Sequence, residues 1–390
     1  MAELLMNGKD MAADLLTFAQ ELVRIQSYSG QEEAVARAIA AKMEALGYDE
    51  VHIDRCGSVL GRIGSGPVSL LFESHIDTVM VNDADQWKKP PFSGEIADGF
   101  LWGRGSTDMK AALAASVYAP ALVKSRGALD GKTIYVSCSV FEEDCDGEGT
   151  KNVLDEFNLH PDYALICEPS NNTIAVGHKG KAQIIIQTHG VSAHGSAPEK
   201  GVNAVYEMAE IIQRVEQTNQ NLPLIDGKKG TLVLSRISST GVSLNAVPAE
   251  CEIYLDRRMV VGESEQTLRV EMEKIIAGKN ASWEIDTVHR TAWTGQPITY
   301  RPLHPAWQID ENHHLTQTLI QAYNHIFGRT PQGFAFWDFS TNAVALVSRG
   351  IPCIGFGPGD PKLAHMRDEK CAVDQIVDAC AFYTKVIENI

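Results

Sequence analysis

The chain has 390 residues, too many for one ordinary hydrophobic core, so a larger domain with a smaller companion is the first expectation. Its hydrophobic content of 44% and charged content of 22% are those of a water-soluble globular protein. A formal net charge of -16 argues against nucleic acid and anionic membrane as partners, because both recruit basic surface.

The segment from Met1 to Leu16 has no basic start and no unbroken apolar stretch, so no secretory leader is expected. No run of residues approaches the length of a membrane-spanning helix. The eight cysteines are scattered and include no C-x-x-C pair. They read as reduced thiols of a cytoplasmic protein.

In chain order, residues 10–46 predict two helices. Leu15, Leu16, Phe18, Leu22 and Val23 form the apolar stripe of the first, and Val35, Ala38, Ile39, Met43 and Leu46 that of the second. Two alternating strands follow around Cys56-Gly57. The apolar run Val68-Ser69-Leu70-Leu71-Phe72 then predicts a buried strand leading into Ser74-His75-Ile76-Asp77. In extended chain, residues two apart share a face, so His75 and Asp77 point the same way. An imidazole beside a carboxylate suits a metal ligand with its orienting partner.

Asp98-Gly99 predicts a hairpin turn. The Gly-rich stretch Gly103 to Lys110 predicts a turn opening an Ala-rich helix to residue 124. The strand Thr133 to Phe141 ends in Glu142-Glu143, and the strand Tyr163 to Cys167 ends in Glu168-Pro169. Alternating strands and helices predict an α/β fold with a mixed sheet covered by helices. The acids sit just past strand ends, where open α/β sheets bind ligands.

Near residue 180 the pattern changes to β-α-β-β-α-β, the order of a ferredoxin-like α+β unit. The expected division is a catalytic domain over 1–179 and 292–390, with an inserted lid or dimerisation domain over 180–291. Two Gly-rich runs, Gly61 to Gly66 and Gly355 to Gly359, lack the following helix that a phosphate-binding turn needs.

His75, Asp77, Asp108, Glu142, Glu143, Glu168 and His365 therefore form one constellation. Imidazoles and carboxylates without thiolates suit Zn²⁺, Mn²⁺ or Co²⁺. Four motifs carry a resemblance: Ser74 to Val79, Gly103 to Lys110, Glu142-Glu143 and Cys167-Glu168-Pro169. Together they resemble the two-metal aminoacylase and carboxypeptidase family, which includes acetylornithine deacetylase and succinyl-diaminopimelate desuccinylase. The resemblance covers nearly the whole chain.

It implies that Asp108 bridges two divalent cations, with zinc the first choice. His75 and Glu168 would complete one site, and Glu143 and His365 the other. Asp77 would orient His75, and Glu142 would be the general base. In the lid, Gly190 to His194 resembles a segment whose histidine acts in the partner subunit's site, which implies a homodimer. Asn245 and Arg258 match substrate-binding positions. Arg257 is the alternative to Arg258, since one shift in strand register swaps which of them faces inward.

One departure stands out. Trp337-Asp338-Phe339-Ser340-Thr341-Asn342 occupies the place of a Gly-Thr-Asp-type turn that shapes the family's substrate pocket, and Asn342 replaces an acid with an amide. The closest resemblance is to a branch associated with selenium or purine metabolism. The implied activity is hydrolysis of an N-acyl or peptide amide on a small carboxylate-bearing substrate. The alternatives are a dipeptidase, a ureido-acid amidohydrolase, or a metal-retaining binding protein without catalysis.

Overall fold

The computed structural model describes residues 9–241 and 243–390. The first residues of the segment read for leader features lie outside that range. Among the described residues, nine strands form a mixed sheet. In order across it run Glu50–Ile53, Val59–Gly64, Lys132–Ser139, Val68–His75, Tyr163–Ile166, Cys353–Gly355, Ala175–His178 and Trp307–Gln308, with Ala335–Trp337 also paired to Ala175–His178.

The four strands at its centre are mutually parallel: Val68–His75 pairs with Lys132–Ser139 and Tyr163–Ile166, and Cys353–Gly355 with Tyr163–Ile166. A strand covered on both faces needs apolar residues throughout rather than in alternation. The last six residues of Val68–His75 are all buried, apolar from Leu70 to Phe72 and polar from Glu73 to His75, where the strand approaches the cluster. The helix Lys110–Ser125 buries thirteen residues, six of them alanines, because it lies between the sheet and the helices Lys9–Arg24 and Val373–Asn389. Small side chains allow that close approach. Lys110 is wholly buried, and its ammonium donates to the carbonyls of Leu22 at 3.0 Å and Ile25 at 2.6 Å, closing the end of the first helix.

A second sheet has the order Thr231–Thr240, Glu250–Met259, Gly180–His189, Ala281–Ile285, all antiparallel. The helices Ala204–Asn221 and Glu265–Ile276 pack on it around a separate apolar core that includes Ile184, Ile186, Met208, Ile253 and Met272. Sequence order and spatial order together are those of the ferredoxin-like unit. A fifth strand, Leu303–His304, joins this sheet beside Lys181 and Ala182, past the expected boundary at residue 291.

The Gly-rich runs serve close packing. A side chain on Gly357 would meet the carbonyl oxygens of Cys167 and Glu168, 2.3 and 2.4 Å from its Cβ, so only glycine lets that loop lie against the strand end carrying Glu168. All eight cysteines are buried and unpaired. No helix of the described residues is long and apolar enough to cross a membrane.

Candidate metal centre

Each of the four central parallel strands delivers one part of the site at its C-terminal end. Val68–His75 ends in His75, Lys132–Ser139 leads to Glu142 and Glu143, Tyr163–Ile166 leads to Glu168, and Cys353–Gly355 opens the loop that carries His365. Asp108 comes from the turn before the helix Lys110–Ser125. That turn folds tightly because Gly105 has a φ of +83°, and a Cβ there would stand 2.8 Å from the Thr78 methyl.

Asp108 lies between the two imidazoles. Its Oδ1 is 2.9 Å from His75 Nε2, and its Oδ2 is 3.3 Å from His365 Nε2. His365 Nε2 is also 2.8 Å from Glu143 Oε2, and His75 Nε2 is 3.8 Å from Glu168 Oε1. One donor atom each from His75, Asp108 and Glu143 lie within 4.8 Å of one another, as do one each from His75, Glu142 and Glu168. The structure thus gathers six of the seven residues of the expected constellation.

Asp77 stands behind them, wholly buried. Its carboxylate is 3.4 Å from His75 Nδ1 and accepts hydrogen bonds from Ser29 Oγ at 2.7 Å and from the backbone amides of Glu142 at 3.0 Å and Glu143 at 3.2 Å. The Asp77 side chain therefore fixes the turn that carries the two glutamates, while His75 Nδ1 lies 3.0 Å from the Asp77 backbone carbonyl oxygen.

The electrostatics describe a cluster of acids short of positive charge. Burial and then Glu168 push the Glu142 carboxyl well above its usual range. Burial and then Asp108 do the same to Glu168, and raise Glu143 to about 7. Asp108 is held low in spite of burial, because both imidazoles face it. Hydrogen bonds donated by its ring to the Asp108 and Glu143 carboxylates lift His365 to about 10. Glu143 Oε1 is buried with no hydrogen-bond partner among the described residues. Divalent cations would relieve this excess of negative charge and occupy that oxygen, and the donor set of imidazoles and carboxylates is one that such ions take.

The cluster opens into a cavity of about 280 Å³, lined also by Asp146, Lys181, Arg258, Phe339 and Ser340. Arg258 reaches the cavity while paired with Asp256, its Nε 2.8 Å from Oδ1. Arg257, on the opposite face of the same strand, is closed in by Glu263 at 2.5 Å and Glu271 at 3.0 Å. Lys181 and Asp146 form a pair at 2.8 Å in the cavity wall. Burial alone would raise Asp146, but Lys181 holds it at about 2. Reasoning from sequence overlooked this pair. Asp146 follows Glu142-Glu143-Asp144 after one cysteine, and nothing in the sequence marked either it or Lys181.

His194 and Asn245 do not join the cluster. Both are exposed on the second unit, side by side, where the Gly195 amide donates to the Asn245 carbonyl at 2.6 Å. Asn342 does not line the cavity either. It is buried, with Nδ2 donating to Ser139 Oγ at 2.7 Å and Glu73 Oε1 at 3.1 Å, while its Oδ1 accepts from the Gly147 amide at 2.7 Å. The turn reaches the cavity through Phe339 and Ser340, and Asn342 supports it from behind.

Comparison with known proteins adds four findings. The model of peptidase family M20/M25/M40 matches residues 71–389. Uncharacterized protein YgeY of Escherichia coli K12 is 35% identical over 387 residues, which are 98% of this chain and 96% of that protein. Succinyl-diaminopimelate desuccinylase of Corynebacterium glutamicum is 29% identical over 391 residues, 98% of each chain. Among solved structures, the Bacillus subtilis YXEP protein, described as a dinuclear metal-binding peptidase, superposes with a TM-score of 0.69 at 16% identity over 97% of this chain and 98% of that one.

Proposed function

The chain belongs to peptidase family M20/M25/M40, and we propose that this hydrolase uses two divalent cations to cleave the amide bond, N-acyl or peptide, of a small carboxylate-bearing substrate. The observation that carries the proposal is the division of Asp108, one carboxylate oxygen toward His75 and the other toward His365. That is the arrangement of a bridging ligand between two centres. His75 and Glu168 would complete one centre, and Glu143 and His365 the other. Paired cations, when bound, polarise a scissile carbonyl and make water a competent nucleophile near neutral pH.

The chain's own residues supply the rest. Glu142 would take the proton of the attacking water and deliver it to the leaving nitrogen. Its burial beside Glu168 supports that role by keeping the carboxylate basic. Asp77 holds the His75 ring and the Glu142-Glu143 turn in register. Arg258 faces the cavity and offers a cation to the substrate carboxylate. The closure of Arg257 between two glutamates favours Arg258 for this role over its neighbour.

His194 and Asn245 are exposed together and do not line this cavity, which supports action in a second copy of the chain. We therefore propose a homodimer in which the unit around residues 180–291 serves as lid and contact. Apolar side chains left exposed on it, including Val191, Tyr206 and Leu244, suit such a contact.

The test is a panel of N-acetyl and N-succinyl amino acids, dipeptides and ureido acids, assayed with the chelator-treated protein and again after addition of Zn²⁺, Mn²⁺ or Co²⁺. Hydrolysis of at least one class, lost on chelation and regained with a cation, is the expected result. Hydrolysis indifferent to chelation would contradict the metal-dependent reading. Cation uptake with no hydrolysis of any class would favour a binding protein.

A further inference from the structure

We propose that Glu369 and Arg104, a buried ion pair behind the cluster, are positioning residues that hold Asp108 and His365 in register with each other. The inference rests on the two-centre reading above. Glu369 lies four residues past His365 and is wholly buried. Its Oε1 accepts from the backbone amides of Thr107 at 2.8 Å and Asp108 at 3.1 Å, and its Oε2 accepts from Arg104 Nη1 at 2.5 Å. Arg104 is 4% exposed, with its guanidinium 5.3 Å from the centre of the Trp87 ring. Its Nη1 also donates to the Met366 carbonyl at 3.3 Å and its Nη2 to the His365 carbonyl at 3.4 Å. One pair of side chains thus touches the backbone of both residues, although 257 positions separate Asp108 from His365 in the chain.

Two considerations make this more than a clip between segments. A buried ion pair is costly to desolvate, and an apolar pair of similar volume would stabilise the fold at least as well. An apolar pair could not, however, hold the Asp108 amide or the His365 carbonyl. His365 also has little else to hold it: its side chain is 53% exposed, and its backbone takes a left-handed φ of +61°. For a non-glycine residue that conformation persists only where the surroundings impose it. Around it, the Gly103 amide donates to the Glu369 carbonyl at 3.0 Å and Thr107 Oγ1 to the Lys370 carbonyl at 2.8 Å, so the two segments run together up to the cluster.

The division of labour is specific. Arg104 touches the His365 backbone directly and Asp108 only through Glu369, whereas Glu369 holds the amide of Asp108, which serves both centres. Partners of this kind are typically worth about 10–100-fold in metal affinity. The experiment is a Co²⁺ titration of the chelator-stripped full chain, followed by visible absorbance and calorimetry. Wild type should take up two equivalents. Arg104→Lys keeps a positive charge against Glu369 but cannot also reach the Met366 and His365 carbonyls, so it should weaken one equivalent by about 10–100-fold and leave the other within about threefold. Glu369→Gln fills the same space and carries the test if Arg104→Lys does not fold. It should weaken both equivalents. Two equivalents of wild-type affinity in folded variants would overturn the inference, leaving the pair a structural clip. Equal loss of both equivalents in Arg104→Lys would also overturn it. Fewer than two equivalents in wild type would remove the two-centre reading and this inference with it.

Discussion

Replacing Glu142 by glutamine separates proton transfer from metal binding. The two side chains have the same shape, so the cavity keeps its lining, and the Glu142 amide keeps its bond to Asp77 Oδ1 at 3.0 Å. What is lost is the one carboxylate assigned to move a proton. General acid–base groups contribute about 10²–10⁴-fold in rate, which is about 2.7–5.4 kcal/mol of transition-state stabilisation. Glu142→Gln should therefore lower kcat by at least about 100-fold on any substrate that the panel identifies. KM should change little, and two cations should still be bound. Glu143→Gln makes the contrast. It removes the charge that faces His365 at 2.8 Å, so metal content should fall first and activity with it. The assay is steady-state hydrolysis with metal content measured on the same samples. A donor atom of Glu142 also lies within 4.8 Å of one each from His75 and Glu168, so it could itself hold a cation, which makes the experiment discriminating. Loss of a cation from Glu142→Gln, with both retained in Glu143→Gln, would show the two roles to be reversed. Near-wild-type turnover by Glu142→Gln would refute the proton-transfer mechanism.

Three further outcomes are expected. Asp77→Asn cannot accept from Ser29, Glu142 and Glu143 while also facing His75 as an anion, so cation affinity or turnover should drop about 10–100-fold with the fold intact; wild-type values for both would contradict the orienting role. Asn342→Asp sets a second carboxylate against buried Glu73 and should cost about 2–4 kcal/mol at pH 8, narrowing as the pH falls and one acid takes a proton, which denaturant melts at several pH values can follow. Burial lowers His178 from 6.5 to about 4, so the unfolded chain binds its proton first as the pH drops; the stability this neutral imidazole contributes is full above pH 6.5 and lost as the pH falls through about 4. The advantage of wild type over His178→Phe should accordingly shrink by roughly 3 kcal/mol between pH 7 and pH 4, and a constant difference would count against a neutral buried His178.

The parts of the molecule legible in the sequence are those where chemistry follows a pattern of local period. Apolar runs ending in His75, Glu142 and Glu168 marked both the central strands and the end of the sheet where ligands gather. The change of element order near residue 180 marked the second unit. Short strands were harder. Ala175–His178 shows only two apolar residues before Gly177, which is there because a Cβ would stand 2.2 Å from the Trp307 carbonyl, a contact between segments 130 positions apart. Glu369 was illegible for a related reason. A glutamate in the run Arg367-Asp368-Glu369-Lys370 reads as solvated, and only the folded chain sets it against the Asp108 amide. Asn342 was visible as a departure from the family pattern, but its direction was not. It turns toward Glu73 because that buried carboxylate needs donors, and Ser139 and Thr150 supply the other two.

The central claim is that Asp108 bridges two cations, and anomalous X-ray diffraction from crystals grown with Zn²⁺, recorded on both sides of the zinc absorption edge, tests it directly. The account predicts two anomalous peaks about 3.5–4 Å apart, one between Asp108 and the His75–Glu168 side and one between Asp108 and the Glu143–His365 side. A single peak, or peaks that leave Asp108 uncoordinated, would contradict it.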